Sequence, residues 1–368
     1  MFVRRYRFFD SKKRAILQID INAPTEFMMM RVNSNLSELL TGCLPEATVA
    51  ELLQTVSLNP AIAEEFGSNC SRAVIAQALN LGLLADLLVR VPSARSYLDG
   101  LKEQSRRLVF DHGALRTVGL AGMGSLPAGE QAIARVLRPL GYVRAEHYPL
   151  DRLKMTGWSY RHRDFPEDLP QFFVSELHVE RFSPEFQEAA ARVTASSDDP
   201  LTDAHREVLD TLDRDHHLKL DDAIQLLRAL IACFTRRHQP PALADYELLL
   251  AESAEMAWIA TEGNAFNHAT DRVSDVEALA QAQRDLGRRM KDSVEVSSSR
   301  RVRQTAYRAD PILRPFIDGM GEETLREVPG SFFEFIQRDM MPDASRLDLS
   351  FDTGNAQGIF KMTAAQTA

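Results

Sequence analysis

A histidine and an arginine lie four residues apart in LVFDHGALRTV, Leu108 to Val118, a stretch patterned as a β-strand. Side chains alternate across a strand, so His112, Ala114 and Arg116 point to one side, with the two polar ends roughly 13 Å apart along the chain. A guanidinium grips a carboxylate through two charge-assisted hydrogen bonds, and the alanine methyl between leaves an apolar floor. Together these residues make the floor of a site for an extended, anionic ligand. The pattern recurs. DHGALR at 111–116 is echoed by NHATDR at 267–272, which puts His268 where the first copy has His112.

Each copy opens a longer unit of roughly 80 to 100 residues. RLVFDHGALRTV reads as a strand, followed by a turn at Gly122 to Pro127, a helix GEQAIARVLRPLGY, and strands YVRAEHYPL, TGWSYRHRDF and QFFVSELHVERF. AWIATEGNAFNHATDRV then reads as strand and turn, VEALAQAQRDLGRRMKD as helix, and VEVSSSRRVRQTAYRADP and GSFFEFIQRDM as strands. Two such β-α-β-β-β units can close into a cup with both histidines facing inward. From Ser34 to Arg107, apolar residues recur at helical spacing, broken at Asn59-Pro60 and Pro92-Ser93, and residues 184 to about 250 are helical again. The expected fold is therefore α+β, with paired β-α-β-β-β modules forming a cupped, mostly antiparallel sheet and added helical segments. Its divisions are an appendage at 1–33, a helical segment at 34–107, a first module at 108–183, a helical insertion at 184–255, a second module at 256–345, and a tail at 346–368 that closes the site.

Composition narrows the function classes. The 368 residues are 45% hydrophobic and 26% charged, as in an ordinary globular protein. A formal charge of −9 argues against broad nucleic-acid binding. The three cysteines, Cys43, Cys70 and Cys233, form no C-x-x-C pair, so neither a disulfide framework nor a zinc knuckle is expected and a reducing cytoplasm fits best. No apolar run is read as a membrane span, and no signal-peptide core stands at the start. The opening MFVRRYRFFDSKKR is basic and aromatic, in the manner of a transit peptide or a nucleic-acid arm, and is assigned no function.

The order of the units resembles the vicinal oxygen chelate superfamily. More narrowly, HGALR at 112–116, NHAT at 267–270, RQTAYRA at 303–309 and FFEFIQR at 332–338 resemble the 2-oxoadipate dioxygenase/decarboxylase family, the 2-hydroxyglutarate synthases. The resemblance implies a cup around a divalent metal with His112, His268 and Glu334 as ligands. Two imidazoles and one carboxylate suit non-haem iron(II), leaving positions for a 2-oxo acid chelate and O2, although other divalent metals fit. It implies Arg116 as a substrate-binding residue, at the far end of a five- or six-carbon diacid, and Gln304 in RQTAYR is read beside it as a polar contact to substrate or to a ligand. After the glutamate motif the family has a long C-terminal stretch, where this chain has about thirty residues. GNAQGIFKM within them resembles the family's last strand, and makes Gly358 a backbone contact to substrate. The implied reaction converts 2-oxoadipate and O2 to 2-hydroxyglutarate and CO2.

Each assignment has a plainer alternative. A strand histidine can be a satisfied core residue, His178 in SELHVERF competes as a ligand, and Glu334 can pair with a neighbouring arginine. Arg116 can form a structural salt bridge with Glu176 or Asp111, and Gln304 can be an ordinary strand amide. The same ligands can serve a glyoxalase-type isomerase or lyase that uses no O2. A metabolite-binding protein, with its helical segments meeting a partner, is the alternative outside enzymology.

Overall fold

The computed structural model describes residues 34–352, so the readings of residues 1–33 and of Gly358 lie outside the described residues. The first helical segment holds helices Asn35–Thr41, Glu46–Thr55, Pro60–Ala63, Arg72–Arg90 and Pro92–Glu103. The prolines that read as breaks are also starts. Pro60 and Pro92 occupy first-turn positions, where a missing N–H leaves nothing unpaired, and the Asn59 side chain accepts from Ala61 N. Helix Arg72–Arg90 corrects the membrane reading on length. Its 19 residues are apolar enough to span a bilayer by composition, but 89% of its most apolar window is buried inside the fold, the setting of a core helix.

Among the described residues there are twelve strands in chain order: β1 (Asn69–Ser71), β2 (Phe110–Gly119), β3 (Tyr142–Leu150), β4 (Met155–His162), β5 (Gln171–His178), β6 (His217–Lys219), β7 (Phe266–Arg272), β8 (Glu295–Val296), β9 (Val302–Ala306), β10 (Pro311–Ile317), β11 (Glu323–Pro329) and β12 (Phe332–Arg338). Eight of them make one sheet, ordered β3-β4-β5-β2-β7-β12-β9-β8, which curls into a half-barrel. The order is symmetric about its middle. β2 pairs antiparallel with β7, each is flanked by a parallel partner, β5 and β12, and the outer pairs are antiparallel. The expected α+β class and mostly antiparallel cup are what the chain forms.

The outer face of the sheet is covered by helices. Leu115, Phe172, Val174, Phe266, Ala269, Phe333 and Phe335 pack there in one large core with apolar residues from 36–101 and 218–234, most of them helical. Burial of this kind contributes on the order of 25 cal/mol per Å2 of apolar surface, and it fixes the register, because slipping one residue would turn the core set into the cup. Gly113 is needed for it: a Cβ there would sit 2.2 Å from the Phe266 ring.

The elements differ from the sequence reading in four places, the first being the short β1–β6 pair inside stretches read as helical. AWIATEG is not a strand but helix Ala254–Glu262, whose N-cap Ser253 accepts from Met256 N and which ends at Gly263 with φ +62. Its run of apolar residues lacks alternation, and the cap signals at its ends decide for helix. The single strand read over VEVSSSRRVRQTAYRADP is two, β8 and β9, separated by a turn in which Arg300 has φ +60. The hairpin β10–β11 stands apart from the main sheet and went unread.

One buried acid in this framework titrates with stability. Asp271, on the outer face of β7, accepts from Tyr97 Oη at 2.7 Å and from Val109 N at 2.9 Å. Burial pushes its carboxyl up to about 7. A pKa raised on folding contributes stability that is complete below the unfolded value, near 4, and lost as pH rises through the folded one. Asp271→Asn should therefore remove a decline in unfolding free energy, of the order of a few kcal/mol, between about pH 4 and pH 7. Denaturant unfolding at several pH values checks this, and parallel curves for both proteins would refute it.

Candidate metal centre and substrate cleft

The three central strands each deliver their third residue to one point inside the cup. His112 of β2, His268 of β7 and Glu334 of β12 are all buried, and their donor atoms lie within 4.8 Å of one another. His112 Nε2 is 3.1 Å and His268 Nε2 3.2 Å from Glu334 Oε2. Thr270 donates to the same oxygen at 2.9 Å. The imidazoles stand perpendicular, their centroids 5.5 Å apart. Phe332 stacks on His268 at 4.8 Å and Phe351 meets His112 edge-on at 4.8 Å, so rings shield both histidines from water.

A second set of residues orients the first. His112 Nδ1 lies 2.8 Å from Asp111 Oδ1, which holds the proton on Nδ1 and turns the Nε2 lone pair inward. Arg338 donates to Asp111 from Nε at 2.9 Å and from Nη2 at 2.9 Å, and its Nη1 donates to the carbonyls of Asp348 and Ser350. One guanidinium thus ties the histidine's carboxylate to the segment that brings Phe351 over the site. Burial raises the Asp111 carboxyl, but Arg338 and His112 outweigh it and hold the group well below the usual carboxylate range. Glu334 is held at about 2, its burial overcome by the two imidazoles. The histidines part company. Burial lowers both, yet hydrogen bonds to Asp111 and Glu334 raise His112 overall, while His268, with one carboxylate, stays lowered.

Two lone-pair donors and a carboxylate kept ionised in a buried setting form a group that can hold a metal ion. Glu334 Oε1 supports the fit, being buried with no hydrogen-bond partner among the described residues. A carboxylate that holds a ligating imidazole in place is typically worth about 10- to 100-fold in metal affinity, so Asp111→Asn should weaken divalent-metal binding by at least about tenfold. A chelator competition titration reads this, and unchanged affinity would leave Asp111 with no role in the site.

The cleft over these residues encloses about 430 Å3, part of it open to solvent, and is lined by His112, Ala114, Phe173, Asn267, Gln304 and Glu334 among others. Ala114, Tyr148, Phe173 and Phe351 cluster as its apolar wall. Here the duplication is broken with consequence. Gln171 sits opposite His112 as Phe332 sits opposite His268, so Phe173 occupies in β5 the place that Glu334 occupies in β12. One module supplies a carboxylate, and the other supplies the wall. Gly157 makes room for that wall, since a Cβ there would lie 2.6 Å from the Phe173 ring.

Arg116 is fully buried, opposite Ser175 of β5, with its Cζ 4.9 Å from the Trp258 ring. Burial lowers its pKa to about 10 against the opposing charge of Glu255. The partners first weighed for it are engaged elsewhere: Asp111 with Arg338, and Glu176 with Glu130 N at 2.6 Å. Gln304 of β9 lines the cleft with Glu334. His178 does not join the group; its Nε2 lies 2.7 Å from Thr156 Oγ1 at the end of β5. Sequence reasoning missed Thr270, Asn267, Phe173, Trp258 and Arg338. Thr270 and Asn267 flank His268 inside the repeat itself, where a comparison with Ala114 and Asp111 could have found them.

A model of the 2-oxoadipate dioxygenase/decarboxylase family matches residues 81–349. The chain belongs to this family. The 2-oxoadipate dioxygenase/decarboxylases are enzymes, and the matched span contains the whole His112–His268–Glu334 group together with Arg116 and Gln304. The chain is 23% identical over 97% of its length to an Arabidopsis thaliana protein named chloroplastic 2-oxoadipate dioxygenase/decarboxylase, spanning 94% of that relative. Among solved structures, a protein from Ralstonia eutropha JMP134 described as of the glyoxalase superfamily is 54% identical, with a TM-score of 0.83 over 87% of this chain and 99% of that one. The Oryza sativa hydroxyglutarate synthase, solved with 2-oxoadipate, shares the fold at 21% identity and a TM-score of 0.62, covering 80% of this chain and 93% of that one.

Proposed function

We propose that this member of the 2-oxoadipate dioxygenase/decarboxylase family is an iron(II) enzyme that converts a 2-oxo diacid and O2 to a 2-hydroxy diacid one carbon shorter and CO2. The leading case is 2-oxoadipate to 2-hydroxyglutarate. The observation that carries the reading is the buried His112–His268–Glu334 group opening onto a cleft lined by Ala114 and Phe173, with the buried Arg116 two residues beyond Ala114 in the same strand. The reaction balances without an outside reductant: the keto carbon becomes a carboxylate with one oxygen of O2, its neighbour gains the other as hydroxyl, and the original carboxyl leaves as CO2. Iron(II) held by His112, His268 and Glu334 would supply the redox chemistry that O2 requires.

The protein's own residues bind, orient and exclude water. Arg338 and Asp111 fix the His112 ring, and Phe332 and Phe351 cover the two imidazoles. Ala114 and Phe173 face the substrate's methylenes, and Arg116 takes the distal carboxylate in a fork. Gln304 is a polar contact from β9, and Gly358, outside the described residues, keeps its proposed role as a backbone contact. The division into modules at 108–183 and 256–345 around a helical insertion at 184–255 belongs to the same reading, as does a cytoplasmic setting.

Anaerobic reconstitution with iron(II), followed by a panel of 2-oxo acids, tests it. O2 consumption and CO2 release should rise together and be largest with the six-carbon diacid. Turnover undiminished without O2 would replace this reading with an isomerase or lyase.

A further inference from the structure

Asn267 reaches the cleft through a fault in register. β2 and β7 pair Ala114 with His268 and Leu115 with Phe266, so Asn267 between them has no partner across the ladder. An extra residue of this kind is a β-bulge, which bends its strand and re-aims the side chain. The asparagine is 3% exposed and lines the same cleft as His112, His268, Gln304 and Glu334. Its Oδ1 is buried, with no hydrogen-bond partner among the described residues. A buried amide carbonyl left so is unfavourable until an O–H or N–H is brought to it. Its position is also informative. The bulge lies at the Ala114–Leu115 step of β2, between the metal-binding group and Arg116, where the middle of an extended ligand would run.

We infer that Asn267 is a product-recognising residue whose Oδ1 accepts the hydroxyl of the 2-hydroxy diacid, an assignment that rests on the function proposed above. At neutral pH a 2-oxo diacid carries two carboxylates and a ketone, all acceptors, and offers Oδ1 nothing. The 2-hydroxy diacid carries one donor, the O–H on the carbon beside a carboxylate. The contact therefore forms once the hydroxyl exists and holds that hydroxyl towards β7, which selects one configuration at its carbon.

Equilibrium binding to zinc-loaded protein separates this contact from turnover. Both enantiomers of 2-hydroxyglutarate, and glutarate as the analogue without the hydroxyl, are titrated into wild type, Asn267→Leu and Asn267→Ala. In wild type one enantiomer should bind about tenfold more tightly than glutarate, the effect of one buried hydrogen bond. Both variants should bring that ratio close to one and leave glutarate affinity and zinc content unchanged; if the bulky leucine disturbs folding, alanine decides. A ratio that survives in both variants assigns the hydroxyl to the metal or to Gln304 and overturns the inference, as does wild type that favours neither enantiomer over glutarate. The expected ratios in a protein that consumes no O2 would uphold the contact while the proposed reaction fell, whereas wild type that binds neither acid would end the diacid reading and this inference with it.

Discussion

Glu334→Ala should leave the purified protein without its metal and at least about a thousandfold less active, a loss of roughly 4 kcal/mol or more in transition-state stabilisation. Of the three donors, Glu334 is the anion, and it is fully buried. Its charge offsets that of a divalent ion where water does not. It is also the group on which both imidazoles converge, at 3.1 and 3.2 Å, so its removal dissolves the cluster rather than trimming it. His112→Ala and His268→Ala should lose metal as well, with the fold intact, because the large core lies on the other face of the sheet. Metal content per chain and far-UV circular dichroism measure the two halves of this statement. Three alanine variants that keep wild-type metal content would show that the ion, if any, binds elsewhere.

Much of this centre was legible because strands with one face in a core and one in a cup advertise themselves by alternation. His112, Ala114 and Arg116 share a face whatever the tertiary structure, and the echo of DHGALR in NHATDR announces a second strand of the same kind. Glu334 required the family resemblance, since nothing in FFEFIQR by itself separates a ligand from a salt-bridged carboxylate. Pairings distant in sequence were hidden for a different reason. Arg338 and Asp111 stand 227 positions apart and meet only because β12 and β2 flank β7. The bulge at Asn267 was invisible because a strict two-residue period has no place for an extra residue. Helix Ala254–Glu262 was misread because a short apolar run fits either element, and that error concealed Trp258, the ring beneath Arg116.

That ring bears on the second large effect, the loss of diacid selectivity in Arg116→Met. Arg116 is fully buried with Trp258 against its guanidinium, so the side chain cannot swing to solvent when no carboxylate is present. Burial has already brought its pKa to about 10. A folded-state pKa at that level keeps the guanidinium charged throughout the neutral range, and diacid binding should weaken only as pH rises past about 10. Methionine suits the test because an unbranched thioether fills the space beside an indole and carries no charge. A charge-assisted pair, together with the cost of leaving its partner charge buried, is worth about 2 to 5 kcal/mol, so kcat/KM for the diacid should fall by roughly thirty- to several-thousandfold. Metal content should not change, because Arg116 is not one of the three donors. Activity towards a 2-oxo acid with an uncharged tail should rise relative to the diacid, as Ala114 and Phe173 already offer it an apolar wall. Arg116→Lys should rescue poorly, since an ammonium is a point charge where the carboxylate meets a planar fork. The competing account makes Arg116 a structural cation held by Glu255 and Trp258. On that account Arg116→Met lowers the unfolding temperature and leaves the ratio of diacid to monoacid turnover where it was, so measuring that ratio beside the melting curve decides between them.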